Sequence, residues 1–378
     1  MARVVDLWHT KDRKRTSRYG TGSRWQATWT AGGVVRKKSF KSKTAAEEYL
    51  TWVEHHRRSG TYISPESGRV LLGPLLDDWI QTLVHLRPSS LESVKSQVST
   101  TLKPELGGEV LSAVTQPQLQ SWLNELARGA RTKELLRTFL YQFFAWTIAG
   151  KRIAENPAAG LKLPKTPTRE KVYLTPEQLS HLTSVITPDY RDLTLFLALT
   201  GLRIGEAIEL RIRDLEARHK RLTINRSAVF LPGGVQVGPP KSGKPRTIAV
   251  GAIVEEMLQR HTVGKSRDDL IFTSARGSRV DPRNFKRRHF DQAVLAADLP
   301  AGFRVHDLRH TAASWAIRSG ASVLAVQRLL GHASPRITLE VYAELFDQDL
   351  DSVADHMDGL GREAANATKP PQDHGKMP

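Results

Sequence analysis

The sequence predicts a multidomain protein that is mainly α-helical and carries small β-sheets. Three observations predict this class: a short N-terminal stretch alternates as strands do, the middle has apolar residues at helical spacing, and the second half mixes short strands with helices. The length of 378 residues suits two or three domains with buried cores. We expect domains at residues 1–62, 70–163 and 170–360, followed by a disordered tail at 361–378.

Composition restricts the functions open to the chain. There are 56 Lys and Arg against 39 Asp and Glu, which gives a formal charge of +17. The first 60 residues contain 14 of the Lys and Arg residues but only 5 of the Asp and Glu residues. This excess predicts a polyanionic partner, most often nucleic acid. Absence of Cys excludes disulfides, thiolate zinc sites and a cysteine nucleophile. Without a long apolar run or a signal-peptide core, we expect a cytoplasmic protein with no membrane partner.

The first segment predicts a small β-rich unit. Strands are expected at residues 24–29 and 34–40, with a Gly-Gly hairpin turn between them. Thr44 fits a helix N-cap, Glu47 would complete a capping box, and the helix would run to about Arg58. The cations of the second strand, which are candidate contacts to nucleic acid, are Arg36, Lys37 and Lys38.

The second segment, residues 70–163, is predicted to be helical. Its clearest apolar stripe follows the i, i+3, i+4, i+7, i+8 spacing and consists of Leu136, Phe139, Leu140, Phe143 and Phe144. Further helices are expected at residues 75–86, 91–102 and 116–126. A Gly-Gly pair at 107–108 interrupts the pattern, and an Asn-Pro pair at 156–157 ends it.

The third segment begins near residue 172 and mixes both element types. Thr175 and Gln178 form a capping box around Pro176 and open the first helix. The further helical stretches are expected at residues 192–200, 204–215 and 284–350. Short strands are expected at residues 222–224, 228–231, 236–237 and 247–250.

Two motifs in this segment offer guanidinium groups suited to a phosphate. Arg203 lies three residues before Glu206 at a helix start, so that the carboxylate can orient it, although a surface ion pair has the same spacing. His306 and Arg309 share this spacing and would present an imidazole and a second guanidinium to one point. His332, after Leu-Leu-Gly, adds a further donor.

Two histidines allow a zinc interpretation that we regard as incomplete. His310 follows His306 by four residues, as the ligands of an HExxH site do. Asp307 stands where that motif requires Glu, and the sequence offers only His332 as a third ligand. We therefore expect no metal site.

The segment 238–244 matches most of a P-loop but departs from it at the next position. Pro245 has no hydroxyl for Mg²⁺, and a strand follows where a helix must start. A β-turn that presents Lys241 or Lys244 to a DNA groove or to a leaving oxygen is the better interpretation. A solvated lysine turn is the alternative.

Tyr342 is the candidate nucleophile, although most tyrosines in such a helix pack in a core. A phenol with an ordinary pKa of about 10 needs activation. Arginines and a lysine around a phosphate would stabilise both the phenolate and the charge of the transition state. The set lacks the paired carboxylates of metal-dependent nucleases. Metal-free phosphoryl transfer through a phosphotyrosine is the predicted chemistry.

Taken together, these motifs resemble those of the tyrosine recombinases, the phage integrase family. The matching boxes, in order, are TGLRIGE at 200–206, Lys241, HDLRH at 306–310, LLGH at 329–332 and TLEVY at 338–342. Upstream, residues 70–160 are similar to the family's core-binding domain. Residues 1–60 resemble the arm-binding domain of the larger integrases, a three-stranded sheet with a helix. Glu344 departs from the pattern, since family members often carry His there.

The resemblance implies a site-specific DNA recombinase that integrates and excises a mobile element. It implies attack by Tyr342 to give a 3′-phosphotyrosyl link, Lys241 as general acid, His306 assisting, and phosphate binding by Arg203, Arg309 and His332, with Glu206 as support. No cofactor is needed, because the covalent link keeps the phosphodiester free energy. The partners implied are double-stranded DNA attachment sites, a homotetramer, an excisionase and a DNA-bending host protein, on the nucleoid of a bacterial cell.

Two other functions use parts of the same residue set. A type IB topoisomerase would share the chemistry and relax supercoils as a monomer, but the basic N-terminal unit and the LLGH box favour a recombinase. A non-catalytic DNA-binding regulator or decayed integrase would need no nucleophile, so the complete set that includes Tyr342 argues against it.

Overall fold

The computed structural model describes residues 2–31, 33–59, 62–64, 66–165, 169–216, 220–346 and 350–367. The chain divides into two compact units, Met1–Pro167 and Thr168–Pro378. The predicted class, a mainly helical multidomain protein with small sheets, is confirmed. No helix among the described residues has the length and apolar character needed to cross a membrane.

The N-terminal part of the first unit is an antiparallel sheet covered by one helix. Its elements are β1 (Arg3–Asp6), β2 (Trp25–Ala31), β3 (Val34–Phe40) and α1 (Lys43–Arg58), with strand order β1-β2-β3. Ala27 and Trp29 on β2 are buried together with Ala46 and Val53 of α1. Alternation along β2 thus supplies one apolar face for the amphipathic helix.

The predicted start of α1 is wrong by two residues. Ser42, not Thr44, is the N-cap, and its Oγ accepts a hydrogen bond of 3.1 Å from the main-chain N–H of Ala45. Glu47 forms an exposed ion pair with Lys43 rather than a capping box. Both hydroxyls are competent caps, and the earlier one lengthens the helix and gains this i, i+4 pair.

The rest of the first unit is helical, as predicted. Its helices are α2 (Leu72–Thr82), α3 (Pro88–Gln97), α4 (Lys103–Leu106), α5 (Gln116–Glu125) and α6 (Ala130–Ala149). A π-helical turn, Val98–Leu102, joins α3 to α4, and Gly107 is the C-cap of α4. All five residues of the predicted apolar stripe are buried on α6, where they share a core with Leu76 and Trp79 of α2.

The second unit mixes helices with two small antiparallel sheets. Its strands are β4 (Leu215–Glu216), β5 (Arg221–Ile224), β6 (Ser227–Leu231), β7 (Gly234–Gly238) and β8 (Arg246–Ala249), arranged as β4-β5-β8 and β6-β7. Its helices are α7 (Pro176–Val185), α8 (Arg191–Thr200), α9 (Ile204–Ala207), α10 (Ala252–Thr262), α11 (Pro282–Asn284), α12 (Asp291–Ala296), α13 (Asp307–Arg318), α14 (Val323–Leu330), α15 (Pro335–Phe346) and α16 (Leu350–Ala367). The capping box of Thr175 and Gln178 is confirmed at α7.

The α8 helix lies in the core of this unit and positions the site. Phe196 and Leu197 of α8 are buried, and α13 packs against the helix, with Leu308 in the same core and Ala312 beside Gly201 at the end of α8. The α14 and α15 helices pack in turn on α13. This layering brings sequence-distant segments to one end of α8.

The helix predicted at 204–215 is much shorter, because tertiary hydrogen bonds replace helical ones. The α9 helix ends at Ala207, after which the carbonyl of Leu210 accepts from Ile271 N at 2.9 Å. Ile212 N donates to the carbonyl of Asp269 at 3.2 Å, and a single 3-10 turn leads into β4. The spacing of apolar residues here is typical of a helix, but the main chain forms hydrogen bonds with residues 269–271 instead.

The tail predicted to be disordered from residue 361 is helical in its described part. The α16 helix continues to Ala367, and Arg362 pairs with Asp358 at 3.0 Å in the i, i+4 position. Polar composition suggested disorder, but Ala, Leu, Glu and Arg are strong helix formers. Residues 368–378 lie outside the described residues.

Candidate active site

Glu206 is the centre of a buried ion network. Its carboxylate is fully buried and accepts from the Arg203 guanidinium at 3.1 Å and from the Arg203 main-chain N–H at 3.0 Å. Arg246 donates to both carboxylate oxygens, at 2.7 and 3.0 Å. Burial raises the pKa of Glu206, but the hydrogen bonds and charges of Arg246 and Arg203 outweigh it and leave the pKa below its usual value. The ionised carboxylate therefore orients Arg203, as the spacing predicted.

Arg246 connects this network to the segment that carries His332. It begins β8, and its Nε donates to the carbonyl of Leu329 at 3.2 Å. Gly331 ends α14 at φ +65°, and a Cβ there would lie 2.8 Å from the Arg246 guanidinium. A glycine is needed at this position both for its backbone conformation and for the close approach of the arginine.

Arg309 lies in the first turn of α13 and is only 2% exposed. Its guanidinium donates to the carbonyl of Gly201 at 2.6 Å and to that of Leu330 at 2.5 Å. Burial and then the charge of Arg203 lower the pKa of Arg309 to about 9, so the group stays charged at neutral pH. The two carbonyls at the ends of α8 and α14 fix the plane of the guanidinium, which has five N–H groups in all.

Two histidines lie in the same electropositive region and are neutral at pH 7. Partial desolvation and the charges of His310, Arg309 and Arg203 lower the pKa of His306, at the start of α13, to about 4. Burial and the same two arginines lower the pKa of His332 to about 4. Both imidazoles therefore act as uncharged donors or acceptors.

Thr338 is a partner of His332 that the sequence did not reveal. Its side chain is fully buried, and its Oγ1 lies 3.0 Å from His332 Nδ1. When the hydroxyl donates to Nδ1, the remaining proton of the neutral ring is on Nε2. This tautomer gives His332 an N–H group with which to bind an oxyanion.

Tyr342 lies on α15 and is 1% exposed. It packs among Ile317 and Leu330, and its hydroxyl lies 2.8 Å from His310 Nδ1. Burial raises the pKa of Tyr342 well above its usual value, and the nearby Arg309 only partly opposes this. Lys171 Nζ donates to the carbonyl of Val341 and so ties α15 to the segment that leads into α7. The tyrosine is thus held protonated beside Arg309.

The two candidate lysines lie in an exposed turn between β7 and β8. A hydrogen bond of 2.8 Å from Gly243 N to the carbonyl of Pro240 closes the turn, and Lys241 and Lys244 are both exposed on it. The segment is a β-turn and not a P-loop, because β8 follows where a P-loop requires a helix. The turn is joined through β8 to Arg246, five residues after Lys241.

The three candidate cations of β3 have different surroundings. Arg36 pairs across the sheet with Trp29, and Lys38 with Ala27, so both share the face that is covered by α1. Arg36 forms an ion pair with Glu66, and the Nζ of Lys38 lies 4.2 Å from the ring centroid of Tyr49. Lys37 is exposed on the opposite face.

The zinc interpretation has no structural support within the described residues. They contain no cluster of three or more His, Cys, Asp or Glu side chains placed to hold a metal. The ring centroids of His306 and His310 lie 5.2 Å apart, and His310 Nδ1 is engaged by Tyr342.

Three side chains of this site were missed in the sequence: Arg246, Thr338 and, in its contact with the tyrosine, His310. Thr338 lies four residues before Tyr342, so its place on the same helix face could be foreseen. Arg246 had no comparable signal, because its partner Glu206 lies forty residues earlier.

Comparison with known proteins identifies the family of the domain that contains these residues. Residues 172–349, which span the network and Tyr342, match the model described as the phage integrase family. The domain at these residues belongs to this family of tyrosine recombinases. The protein is accordingly a site-specific recombinase, an enzyme that breaks and rejoins DNA strands.

Relatives of the recombinase extend over most of its length. A "Tyrosine recombinase XerC-like" protein of Caldanaerobacter subterraneus subsp. tengcongensis is 24% identical over 373 residues, covering 87% of this chain and 93% of the relative. The integrase of Mycobacterium phage L5 is 26% identical over 268 residues, covering 68% and 71%.

Solved structures share the fold. The Tn1549 transposon integrase in complex with transposon right end DNA superposes with a TM-score of 0.67 at 21% identity, covering 77% of this chain and 100% of that one. A lambda integrase tetramer bound to a Holliday junction gives 0.58 at 19% identity, covering 82% and 93%.

Proposed function

We propose that this recombinase integrates and excises a mobile element by forming a 3′-phosphotyrosyl link through Tyr342. The observation that carries the proposal is the placement of Arg309 near both Tyr342 and Arg203, with two neutral imidazoles beside the arginines. Groups of this kind bind a phosphodiester and stabilise the charge that develops during in-line attack.

Each residue has a distinct part in the proposed reaction. Arg203, Arg309 and His332 bind the non-bridging oxygens of the scissile phosphate, while Lys241 protonates the 5′-oxygen that leaves and His306 assists proton transfer. Glu206 supports Arg203 through its buried hydrogen bonds. The exposed turn of Lys241 suits a group that reaches the leaving oxygen only when DNA is bound.

The proposed reaction conserves the free energy of the phosphodiester bond that it breaks. The phosphotyrosyl ester keeps the free energy of the phosphodiester, and the 5′-hydroxyl of a partner strand then attacks it and restores the DNA backbone. The arginines supply the positive charge that a metal ion supplies in two-metal nucleases. We therefore propose a cycle that is independent of metal, ATP and any other cofactor.

The proposed assembly is a homotetramer on two double-stranded DNA attachment sites. The tetramer that lambda integrase forms on a Holliday junction has the same fold and supports this arrangement. An excisionase and a DNA-bending host protein are proposed as further partners, because the N-terminal segment offers a second DNA contact away from the crossover. We place the enzyme on the nucleoid of a bacterial cell.

The N-terminal segment, residues 1–62, is proposed to bind arm-type DNA, residues 70–163 the core site, and residues 170–360 to carry the chemistry. The net positive charge of the first 60 residues and the exposed Lys37 support the first assignment. Deleting residues 1–60 should spare cleavage of a core site and impair integration of an element into its target. Normal integration by the truncated protein would contradict this division.

Covalent trapping in EDTA tests the proposed chemistry. The probe is duplex DNA from the regions that flank the gene. It is nicked near each candidate crossover, so that the short fragment with the 5′-hydroxyl diffuses away after cleavage and the adduct accumulates. We expect an adduct with a 3′-phosphotyrosyl end in the wild type and none in Tyr342→Phe, with DNA affinity nearly unchanged. Loss of the adduct in EDTA with recovery on adding a divalent metal would refute the metal-free cycle.

A further inference from the structure

Residues 169–174, named here the pre-α7 segment, contact two helices of the site, α13 and α15. The Arg169 guanidinium donates to the two carboxylate oxygens of Asp307, at the start of α13, at 3.3 and 3.0 Å. Two residues later, Lys171 Nζ donates to the carbonyl of Val341 on α15. One short segment therefore links α13 to α15, and the proposed reaction leaves both of its cations without a role.

Hydrogen bonds attach the pre-α7 segment to α13 on both sides of Lys171. Before it, Arg169 is paired with Asp307, whose residue is only 4% exposed. After it, the main-chain N–H of Leu174 donates to Thr311 Oγ1 at 3.1 Å, and the Leu174 carbonyl accepts at 2.9 Å from the indole N–H of a tryptophan on the same helix. Lys171 thus extends to α15 from a main chain whose position is fixed by α13.

The contact on α15 lies beside the proposed nucleophile. Val341 directly precedes Tyr342, and its carbonyl lies in the second half of α15, towards the end where the helix dipole favours a cation. The last turn of α15, which the structure describes in full, contains no basic side chain, so Lys171 supplies this charge from another segment. Its Nζ lies 6.0 Å from the ring centroid of Tyr342. Because a carbonyl oxygen has two lone pairs, it can accept from Lys171 and keep a helical hydrogen bond as well.

We propose that Lys171 is a positioning residue, which holds α15 at the distance from α13 that brings the Tyr342 hydroxyl and the Arg309 guanidinium to one phosphate. The inference rests on the proposed function, since it assigns a role within the same reaction. Lys171 acts through the main chain of α15 and does not itself touch the DNA.

The physical reason is the difference between apolar packing and a charged hydrogen bond. Helix α15 also packs on α13 and α14 through buried apolar side chains, and such contacts are not directional. A hydrogen bond from an ammonium group is short and specific in geometry, so it restricts how far the helix can slide. Attack needs the reacting atoms about 3–3.5 Å apart, and a displacement of about 1 Å can cost roughly 100-fold in rate.

Hydrogen exchange of the protein without DNA tests the contact itself. Lys171→Met keeps an unbranched side chain and removes its charge, so peptides from α15 should exchange about tenfold faster, while peptides from α8 keep the wild-type rate. Lys265→Met is the matched control, because Lys265 Nζ donates to the carbonyls of Leu270 and Ile271, at 3.0 and 2.9 Å, and not to α15. Exchange in α15 that is unchanged in Lys171→Met, or raised equally in Lys265→Met, would overturn the proposal.

Single-turnover adduct formation on the nicked flanking DNA tests the role in the reaction. Lys171→Met should slow this step about ten- to hundredfold at saturating protein, with the protein concentration for half-maximal rate unchanged. Lys171→Arg should recover most of the rate, since a guanidinium offers the same carbonyl a charged donor. Lys265→Met should keep the wild-type rate. A smaller fraction of folded protein would lower the yield of adduct and not the rate constant, so the rate constant separates positioning from a general loss of structure.

Two results of this assay would overturn the proposal. One is a Lys171→Met rate constant within about threefold of wild type. The other is a Lys171→Arg rate constant no higher than that of Lys171→Met, because the charge would then have no part in the effect.

The pairing of Arg169 with Asp307 gives a second and smaller test. Arg169→Met should slow adduct formation about three- to tenfold, because it loosens the main chain from which Lys171 extends. Since both cations act through one segment, the double variant should be no more than about twofold slower than Lys171→Met alone. Losses that multiply would contradict the proposal. A wild-type protein that forms no adduct would contradict the proposed function instead, and hydrogen exchange would then decide whether Lys171 positions α15.

Discussion

The sheet of β1 to β3 and the ion network around Glu206 are both rich in cationic side chains. The two regions differ in how far these side chains are buried and paired. On β3, Lys37 is exposed to solvent, where water and salt screen it. Around Glu206, Arg246 and Arg203 share one fully buried carboxylate, which fixes their positions. The cations proposed to act in the chemistry are thus buried and paired, whereas Lys37, proposed to bind DNA, is exposed.

The largest effect is expected from a substitution in the buried ion network, and it is an effect on stability. Glu206→Ala leaves two guanidinium groups without their carboxylate, and breaking such a buried pair costs about 3–5 kcal/mol of stability. Glu47→Ala, which removes an exposed ion pair with Lys43, is the control and should change stability by less than about 1 kcal/mol. Hydrogen exchange in urea, followed on peptides from α8 and α13, measures the first change. Equal losses of stability from the two substitutions would contradict the distinction between the buried and the exposed ion pair.

The same carboxylate predicts a pH dependence. Because the folded-state pKa of Glu206 is lowered, its contribution to stability is present above the unfolded-state pKa of about 4.3 and is lost as pH falls through the folded-state value. Glu206→Gln should therefore lose less stability than the wild type on acidification below about pH 4.3. A parallel decline in both proteins would show that the carboxylate is not the group titrating.

An intermediate effect is expected at Arg246, which does not touch the proposed phosphate site itself. Arg246→Met removes two charged hydrogen bonds to Glu206 and the bond to Leu329, and should slow adduct formation roughly ten- to hundredfold, with DNA affinity retained. Arg246→Lys should recover part of the rate. The measurement is the single-turnover rate at saturating protein. A wild-type rate in Arg246→Met would show that Arg203 needs no such support.

The smallest effect is expected on the exposed side. Lys37→Ala should reduce the slope of log affinity against log salt for arm-type DNA by about 0.9, the value for one phosphate contact. Arg36→Ala is the comparison, because Arg36 is already paired with Glu66 and should change the slope less. Filter binding over a range of salt concentrations measures both slopes. A larger change for Arg36 would place the DNA on the face of the sheet that α1 covers.

The local sequence pattern was sufficient to predict secondary structure wherever a short segment forms its structure mainly through its own residues. The apolar stripe of α6, the capping box of Thr175 and the strands β5 to β8 were all predicted. Pattern failed where the backbone binds a distant segment, as at residues 208–215, or where two neighbouring hydroxyls compete as caps, as at Ser42. In both cases the competing structures are locally similar, and a contact elsewhere selects one.

The sequence by itself determined the proposed reacting groups of this recombinase, because a tyrosine, two arginines, a lysine and histidines in one order have few other uses. Only the tertiary structure decided their states. Burial set the protonation of Tyr342 and His332, packing of α15 on α13 placed His310 against the Tyr342 hydroxyl, and Arg246 reached Glu206 across forty residues. Protonation and orientation depend on which atoms surround a group in space, and one-dimensional spacing does not contain that information.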